Sequence, residues 1–262
     1  MIFLDSIVCG DNVQIMKQMP DNCIDLTITS PPYDNLRTYG GHEWDFEEVA
    51  RELFRVTKQG GVVVWVVGDA TINGSETGHS FQQALFFRAT GFNMETMIYR
   101  KTCYPRSGSL LFYQSAFEFM FLFMKDNPKT FNPVADRKNK KAGICSTGTK
   151  REVDGSLSRY DFQVNEYKQR DNVWDYDPGF MKGTKDIIAY KHPAIFPEAL
   201  AADHIRSWSN EGDTVLDPFS GSGTTCKMAK KLGRHWIGIE INPEYIEISN
   251  KRMRQGVLFF GS

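Results

Sequence analysis

The chain of 262 residues is long enough to bury a large core as one domain, or as one domain carrying a substantial insertion. Its 41% hydrophobic and 24% charged residues suit a globular protein in water, and a formal net charge of −1 excludes binding to polyanions by bulk charge alone. The cysteines (Cys9, Cys23, Cys103, Cys145, Cys226) form no CxxC pair and the histidines are scattered, which excludes a disulfide framework and gives no metal-ligand spacing. No charged-then-apolar leader opens the chain. The longest greasy stretch, 110–124, is broken by Gln114, Ser115 and Glu118, so a cytoplasmic protein without a membrane span is expected.

In chain order, Asp11 is placed to cap a short helix through Met19, closed by Pro20. Ile24–Thr29 reads as a core strand and runs into Ser30-Pro31-Pro32-Tyr33. Residues 34–44 read as a loop. Asp45 with Glu48 forms a capping-box pattern for a helix to about Val56. Gly60-Gly61 are expected to break the chain before Val62–Val67, an unalternating β-branched run typical of a strand buried on both faces. Ser80 is expected to cap a helix 81–90 with Gly91 behind it, and two further β-rich runs follow at 92–100 and 117–123. Apolar periodicity then disappears, so 125–190 is expected to be an insertion of mixed loops between a first half, 1–124, and a second half, 191–262. Within it Arg137, Lys138, Lys140, Lys141, Lys150 and Arg151 lie on a stretch without an acid. Phe196-Pro197 opens a helix through about Trp208, with Pro197 at its first position. A strand at 215–217, a glycine-rich turn, a helix to Gly233, a strand at 236–240 and a helix from Pro243 to about Met253 complete the series. Strands alternating with helices at these lengths predict an α/β fold with a mainly parallel sheet.

Two stretches carry chemistry. In Ser30-Pro31-Pro32-Tyr33 the prolines fix φ and lack N–H groups, which leaves carbonyls able to accept from elsewhere beside the flat face of Tyr33. That edge suits a planar ligand bearing an exocyclic amino group. The second stretch, Asp217-Pro218-Phe219-Ser220-Gly221-Ser222-Gly223-Thr224-Thr225, joins a strand to a helix, and Glu240 closes the next strand. Glycines that admit close backbone approach, with an acid able to bond ribose hydroxyls, resemble a nucleoside-cofactor crevice. The spacing departs from GxGxxG. Asp217 at the strand end disfavours a pyrophosphate and suits a cationic sulfonium or its α-amino group, so S-adenosylmethionine is expected over NAD.

Together these motifs resemble the amino-methyltransferases of DNA, over most of the chain outside 125–190. The order, S-P-P-Y first and D-P-F-S-G-S-G-T-T last with a variable region between, is similar to the beta class. The resemblance implies a Rossmann-like methyltransferase fold, a mixed and mainly parallel sheet with helices on both faces, and an inserted target-recognition region over 125–190. It implies that Asp11, in Gly10-Asp11-Asn12, contacts the cofactor's adenine. Phe196 and Pro197 would pack on its methionine end. Asp217, Phe219, Ser220, Gly221, Gly223 and Thr224 would seat it, and Glu240 would hold the ribose. Ser30, Pro31, Pro32 and Tyr33 would be catalytic, on a base flipped out of double-stranded DNA. Arg37 and the basic residues of 137–151 would reach phosphates. Within the family S-P-P-Y tends to accompany cytosine-N4 enzymes, so cytosine is favoured over adenine N6. Methylation at C5 is not expected, because the Pro-Cys pair of that chemistry does not occur. An RNA or protein amino-methyltransferase, a DNA-binding protein with a dead catalytic fold and an NAD-dependent oxidoreductase stay open as alternatives. So do a homodimer and a cognate restriction endonuclease as partners.

Overall fold

The computed structural model describes residues 3–32, 44–103 and 113–255; Tyr33 and Arg37 lie outside them. Its strands in chain order are β1 (Ser6–Cys9), β2 (Ile24–Thr29), β3 (Thr57–Val67), β4 (Thr71–Ile72), β5 (Ser75–Glu76), β6 (Asn93–Lys101), β7 (Phe117–Met124), β8 (Ala135–Lys138), β9 (Cys145–Arg151), β10 (Leu157–Gln163), β11 (Tyr167–Gln169), β12 (Val173–Tyr176), β13 (Thr214–Asp217) and β14 (His235–Glu240). The helices are α1 (Asn12–Met16), α2 (Phe46–Val56), α3 (His79–Ala89), α4 (Glu198–Trp208), α5 (Thr224–Lys231) and α6 (Pro243–Arg254).

Met1–Asn132 and Asn172–Ser262 make one compact unit, and Pro133–Asp171 a second. The first is built on an eight-stranded sheet of order β1-β14-β13-β2-β3-β7-β6-β12. Within it β7 runs against both neighbours, and the other described strands share one direction. The two faces of β3 explain its unbroken apolar run. Val63, Trp65 and Val67 join a cluster with Met16 of α1, Leu53 of α2 and Phe87 of α3. In the register with β7, Trp65 pairs Phe121 and Val66 pairs Met120, so Met120 points the other way. There it meets α4, whose His204 Nε2 lies 3.3 Å from the Met120 sulfur. A strand covered on both sides has no polar face to alternate with.

Several local expectations are corrected. Gly60 and Gly61 do not end an element but sit inside β3. The pairing with β2 slips register there, Gly60 has φ +75, and a Cβ on it would meet that of Lys129 at 2.7 Å. They make a bulge rather than a break. Helix α1 ends at Met16, short of Met19, although Asp11 does cap it, accepting from Gln14 N at 2.9 Å. Asp45 caps α2 by accepting from Glu48 N, while the Glu48 carboxylate pairs with Lys17. Ser80 is not a cap. Helix α3 starts from the left-handed Gly78, and Ser80 donates its N–H and hydroxyl to Asp69. Pro197 sits one position earlier than expected, as the N-cap of α4.

The stretch 125–190 is not a run of loops. In Pro133–Asp171, β8 pairs β11 and β9 pairs β10, both antiparallel, and beyond it β12 adds a parallel edge to β6 in the central sheet. The four strands of the small unit are almost wholly exposed. Without a buried face they need no alternation, which is why the sequence pattern is silent there.

Candidate active site

In open α/β sheets ligands bind outside the carboxyl ends of the strands, where neighbouring connections diverge. Four of those ends converge here. β1 delivers Gly10, Asp11 and Asn12; β2 delivers Ser30, Pro31 and Pro32; β13 delivers the turn 218–224; and β14 ends on Glu240. They border a cavity of about 1100 Å³, together with Trp44, Tyr245 and the loop from His192 to Phe196.

The turn after β13 is held from below and from both sides. Asp217 is 1% exposed and does not line the cavity. It accepts from the Thr29 hydroxyl at 2.7 Å and from Phe219 N at 3.1 Å, tying the end of β13 to the end of β2. Burial pushes its pKa up to about 6, against the Thr29 and Thr225 hydroxyls and Phe219 N–H; the charge of Glu240 adds to the rise. The charge expected beside a ligand is therefore spent beneath the turn. Glu240 does line the cavity. Its carboxylate accepts from Gly221 N and Asn242 N, each at 2.8 Å. Gly221 has φ +48, and a Cβ there would meet His192 Nε2 at 2.8 Å, so the turn, the His192 ring and the Tyr245 ring (4.3 Å from His192) form one wall. Asn12 donates to Pro218 O at 3.3 Å and ties the first strand connection to the turn. Phe219 packs edge-on against Trp44, with centroids 4.9 Å apart.

Arg252 of α6 was not foreseen. Its side chain is fully buried and Nη1 donates to Ser222 O at 2.7 Å, Ser222 Oγ at 3.0 Å and Thr224 Oγ1 at 3.1 Å. Nη2 donates to Glu198 Oε1 at 2.8 Å and Nε to Asp186 Oδ2 at 2.9 Å, and Lys227 reaches both acids. Burial raises both carboxyl pKa values, but Arg252 and Lys227, helped at Glu198 by the Thr184 hydroxyl and at Asp186 by Gln255, outweigh it and hold them below the usual range. One guanidinium thus joins α6, α4 and the glycine turn. The sequence signal was present: Ile248, Ser249, Arg252 and Met253 share the buried stripe of α6.

Of the expected cofactor residues, Asp11, Phe196, Phe219, Ser220, Gly221, Thr224 and Glu240 line the cavity, whereas Pro197, Asp217 and Gly223 do not. The expected catalytic residues Ser30, Pro31 and Pro32 line the same cavity. The six basic residues belong to the small unit. Arg137 lies 4.0 Å from Asp171, Lys138 3.7 Å from Glu166 and Lys150 3.3 Å from Glu152. Lys140, Lys141 and Arg151 make no ion pair with another described residue. No group of described residues has metal-ligand geometry, and no described helix is long and apolar enough to cross a membrane.

A mainly parallel sheet with one reversed strand, a glycine turn braced from beneath and an acid on the neighbouring strand define a nucleoside-binding α/β protein. Residues 24–251 match the DNA methylase family, and the chain belongs to it. It is 53% identical over 251 residues to the orphan methyltransferase M.BamHII of Bacillus amyloliquefaciens, covering 93% of this chain and 94% of that one. It is 31% identical over 254 residues to the DNA adenine methyltransferase YhdJ of Escherichia coli, covering 95% and 82%. The solved structure of the cytosine-N4-specific PvuII DNA methyltransferase superposes with TM-score 0.69 at 21% identity, covering 96% of this chain and 86% of that one, a likeness of fold. The protein is thus an S-adenosylmethionine-dependent DNA amino-methyltransferase of the N4/N6 type. The crevice fits that ligand. Its volume exceeds the space one nucleoside needs, bare backbone at Gly221 allows close approach, and Glu240 stands at the neighbouring strand end.

Proposed function

We propose that the protein methylates the N4 amino group of cytosine in double-stranded DNA. The observation that carries this reading is Ser30, heading Pro31-Pro32 at the end of β2, in the wall of the cavity that also holds the turn 218–224 and Glu240. S-adenosylmethionine, when bound, supplies an electrophilic methyl group. Glu240 would hold its ribose, Asp11 its adenine side and Phe196 its methionine side. Asp217, Gly223 and Pro197 would act indirectly, by shaping the turn and the start of α4.

An exocyclic amino nitrogen is a poor nucleophile because its lone pair is delocalised into the ring. The Pro31 carbonyl and Ser30 accept from its N–H groups and favour a pyramidal nitrogen, whose lone pair then points away from the ring plane. Ser30 is a neutral hydroxyl, so its part is to position and polarise the amino group rather than to abstract a proton; the proton leaves to water once methylation has made the nitrogen acidic. Holding both reactants in one cavity supplies most of the acceleration. Flipping the base costs a few kcal/mol, and stacking on Tyr33 offsets about 1–3 kcal/mol of it. The unit Pro133–Asp171 meets the duplex, with Lys140, Lys141 and Arg151 toward phosphates.

The test is incubation with DNA and S-adenosylmethionine followed by nucleoside mass spectrometry. N4-methylcytosine is the expected product, and N6-methyladenine alone overturns the choice of base. The adenine reading is favoured by one observation, the similarity to a DNA adenine methyltransferase.

A further inference from the structure

The cavity extends beyond the crevice to a second group of polar side chains. Tyr99 and Lys101 lie on one face of β6, two residues apart, and Glu118 of β7 is the cross-strand partner of Tyr99. Glu118 accepts from the Tyr99 hydroxyl at 2.8 Å and pairs with the Lys101 ammonium at 2.7 Å. All three line the cavity. Both charged side chains are largely withdrawn from water, Lys101 at 22% and Glu118 at 17% exposure. A withdrawn ion pair rarely repays its own desolvation, so packing alone does not account for one in the wall of a cavity. Burial, then the neighbouring carboxylate, holds the Tyr99 hydroxyl well above its ordinary pKa, so it stays a donor to Glu118.

Position completes the case. β6 runs parallel to β2, so Lys101 stands at the same edge of the sheet as Ser30. Only β3 and β7 intervene, about 14 Å across at ~4.8 Å per strand, and the register Thr29–Trp65–Phe121–Thr96 sets Lys101 four residues, about 13 Å at ~3.3 Å per residue, farther along than Ser30. Glu118 of β7 draws the Lys101 ammonium back toward β2, and a pyrimidine with its amino group at Ser30 fits in the cavity that both residues line. An ammonium has three donors, and Glu118 is the described partner of one.

We propose that Lys101, held by Glu118 and Tyr99, is a specificity-determining residue that donates a hydrogen bond to the ring carbonyl of the flipped cytosine. This rests on the reading of the site as a cytosine-N4 methyltransferase. Adenine has no carbonyl to offer, and a base that leaves a half-withdrawn ammonium without that acceptor binds less well than one that supplies it.

The experiment compares wild type, Lys101→Met and Lys101→Arg on the same DNA. Products are identified by mass spectrometry, and the dissociation constant of S-adenosylmethionine is measured separately by calorimetry. Lys101→Met is expected to lower kcat/KM for DNA roughly 10- to 100-fold, the loss of one charge-assisted hydrogen bond, with cofactor affinity unchanged. Lys101→Arg is expected to recover most of it. Once the methylated site is located by sequencing, its cytosine is replaced by a 2-aminopyridine C-nucleoside, which keeps the amino group and ring nitrogen but lacks the carbonyl. Wild type should slow on this duplex as Lys101→Met does on the natural one, and the variant should slow no further. Losses that add instead, or a variant as active as wild type while wild type still makes N4-methylcytosine, overturn the role of Lys101 and leave the proposed function standing. Cofactor affinity falling in step with turnover also overturns it, since the change then acts on the fold. N6-methyladenine from wild type overturns both.

Discussion

Asp217 sits where a ligand-facing charge was expected and serves the backbone instead. Its folded pKa of about 6 lies above the ordinary value of 3.8, so the folded chain holds its proton more tightly than the unfolded chain. Relative to Asp217→Asn, wild type should be most favoured below about pH 4 and lose about 3 kcal/mol of that advantage as pH rises through 6. Urea denaturation of both proteins at several pH values checks the sign. Ser30 makes the opposite kind of prediction. It lines the cavity from the end of β2, two strands from Glu240, so Ser30→Ala should lose most methyl transfer while binding S-adenosylmethionine nearly as wild type does. Calorimetry beside a radiolabel transfer assay separates the two effects.

Helix α6 shows how an element far along the chain shapes the site. Arg252→Met would leave Glu198 and Asp186 with Lys227 as their remaining described cation and would free Ser222 and Thr224. The expected cost is about 3–5 kcal/mol of stability, read by chemical denaturation, with weaker cofactor binding and partial rescue in Arg252→Lys. Strands β2, β13 and β14 and the motifs they carry were legible, because a buried strand ending in prolines or glycines announces both its core and its edge. Arg252 was not legible as a brace, since a run of charges on a helix reads equally as a solvated face until its stripe is counted. The exposed strands β8–β11 were not legible either, because polar residues with no core to face carry no period. Gly60 misled for a related reason, since a bulge and a break use the same residue.

At the scale of the whole molecule, a net charge of −1 coexists with a DNA substrate, so attraction to phosphate has to be local. Neutralising Lys140, Lys141 and Arg151 should weaken DNA binding and flatten its salt dependence by up to about 0.9 in slope per lost phosphate contact. Binding measured across a series of salt concentrations checks this, and an unchanged slope removes the small unit from the interface. The three substitutions should leave cofactor affinity as it was, since none of them lines the cavity. Arg252 carries a last consequence, which concerns synthesis on the ribosome. Ser30 emerges early, whereas the guanidinium that secures Ser222 and Thr224 emerges only after α6. A nascent chain therefore carries Ser30 long before the glycine turn is braced, and a message broken ahead of α6 is expected to yield a polypeptide without methyl-transfer activity.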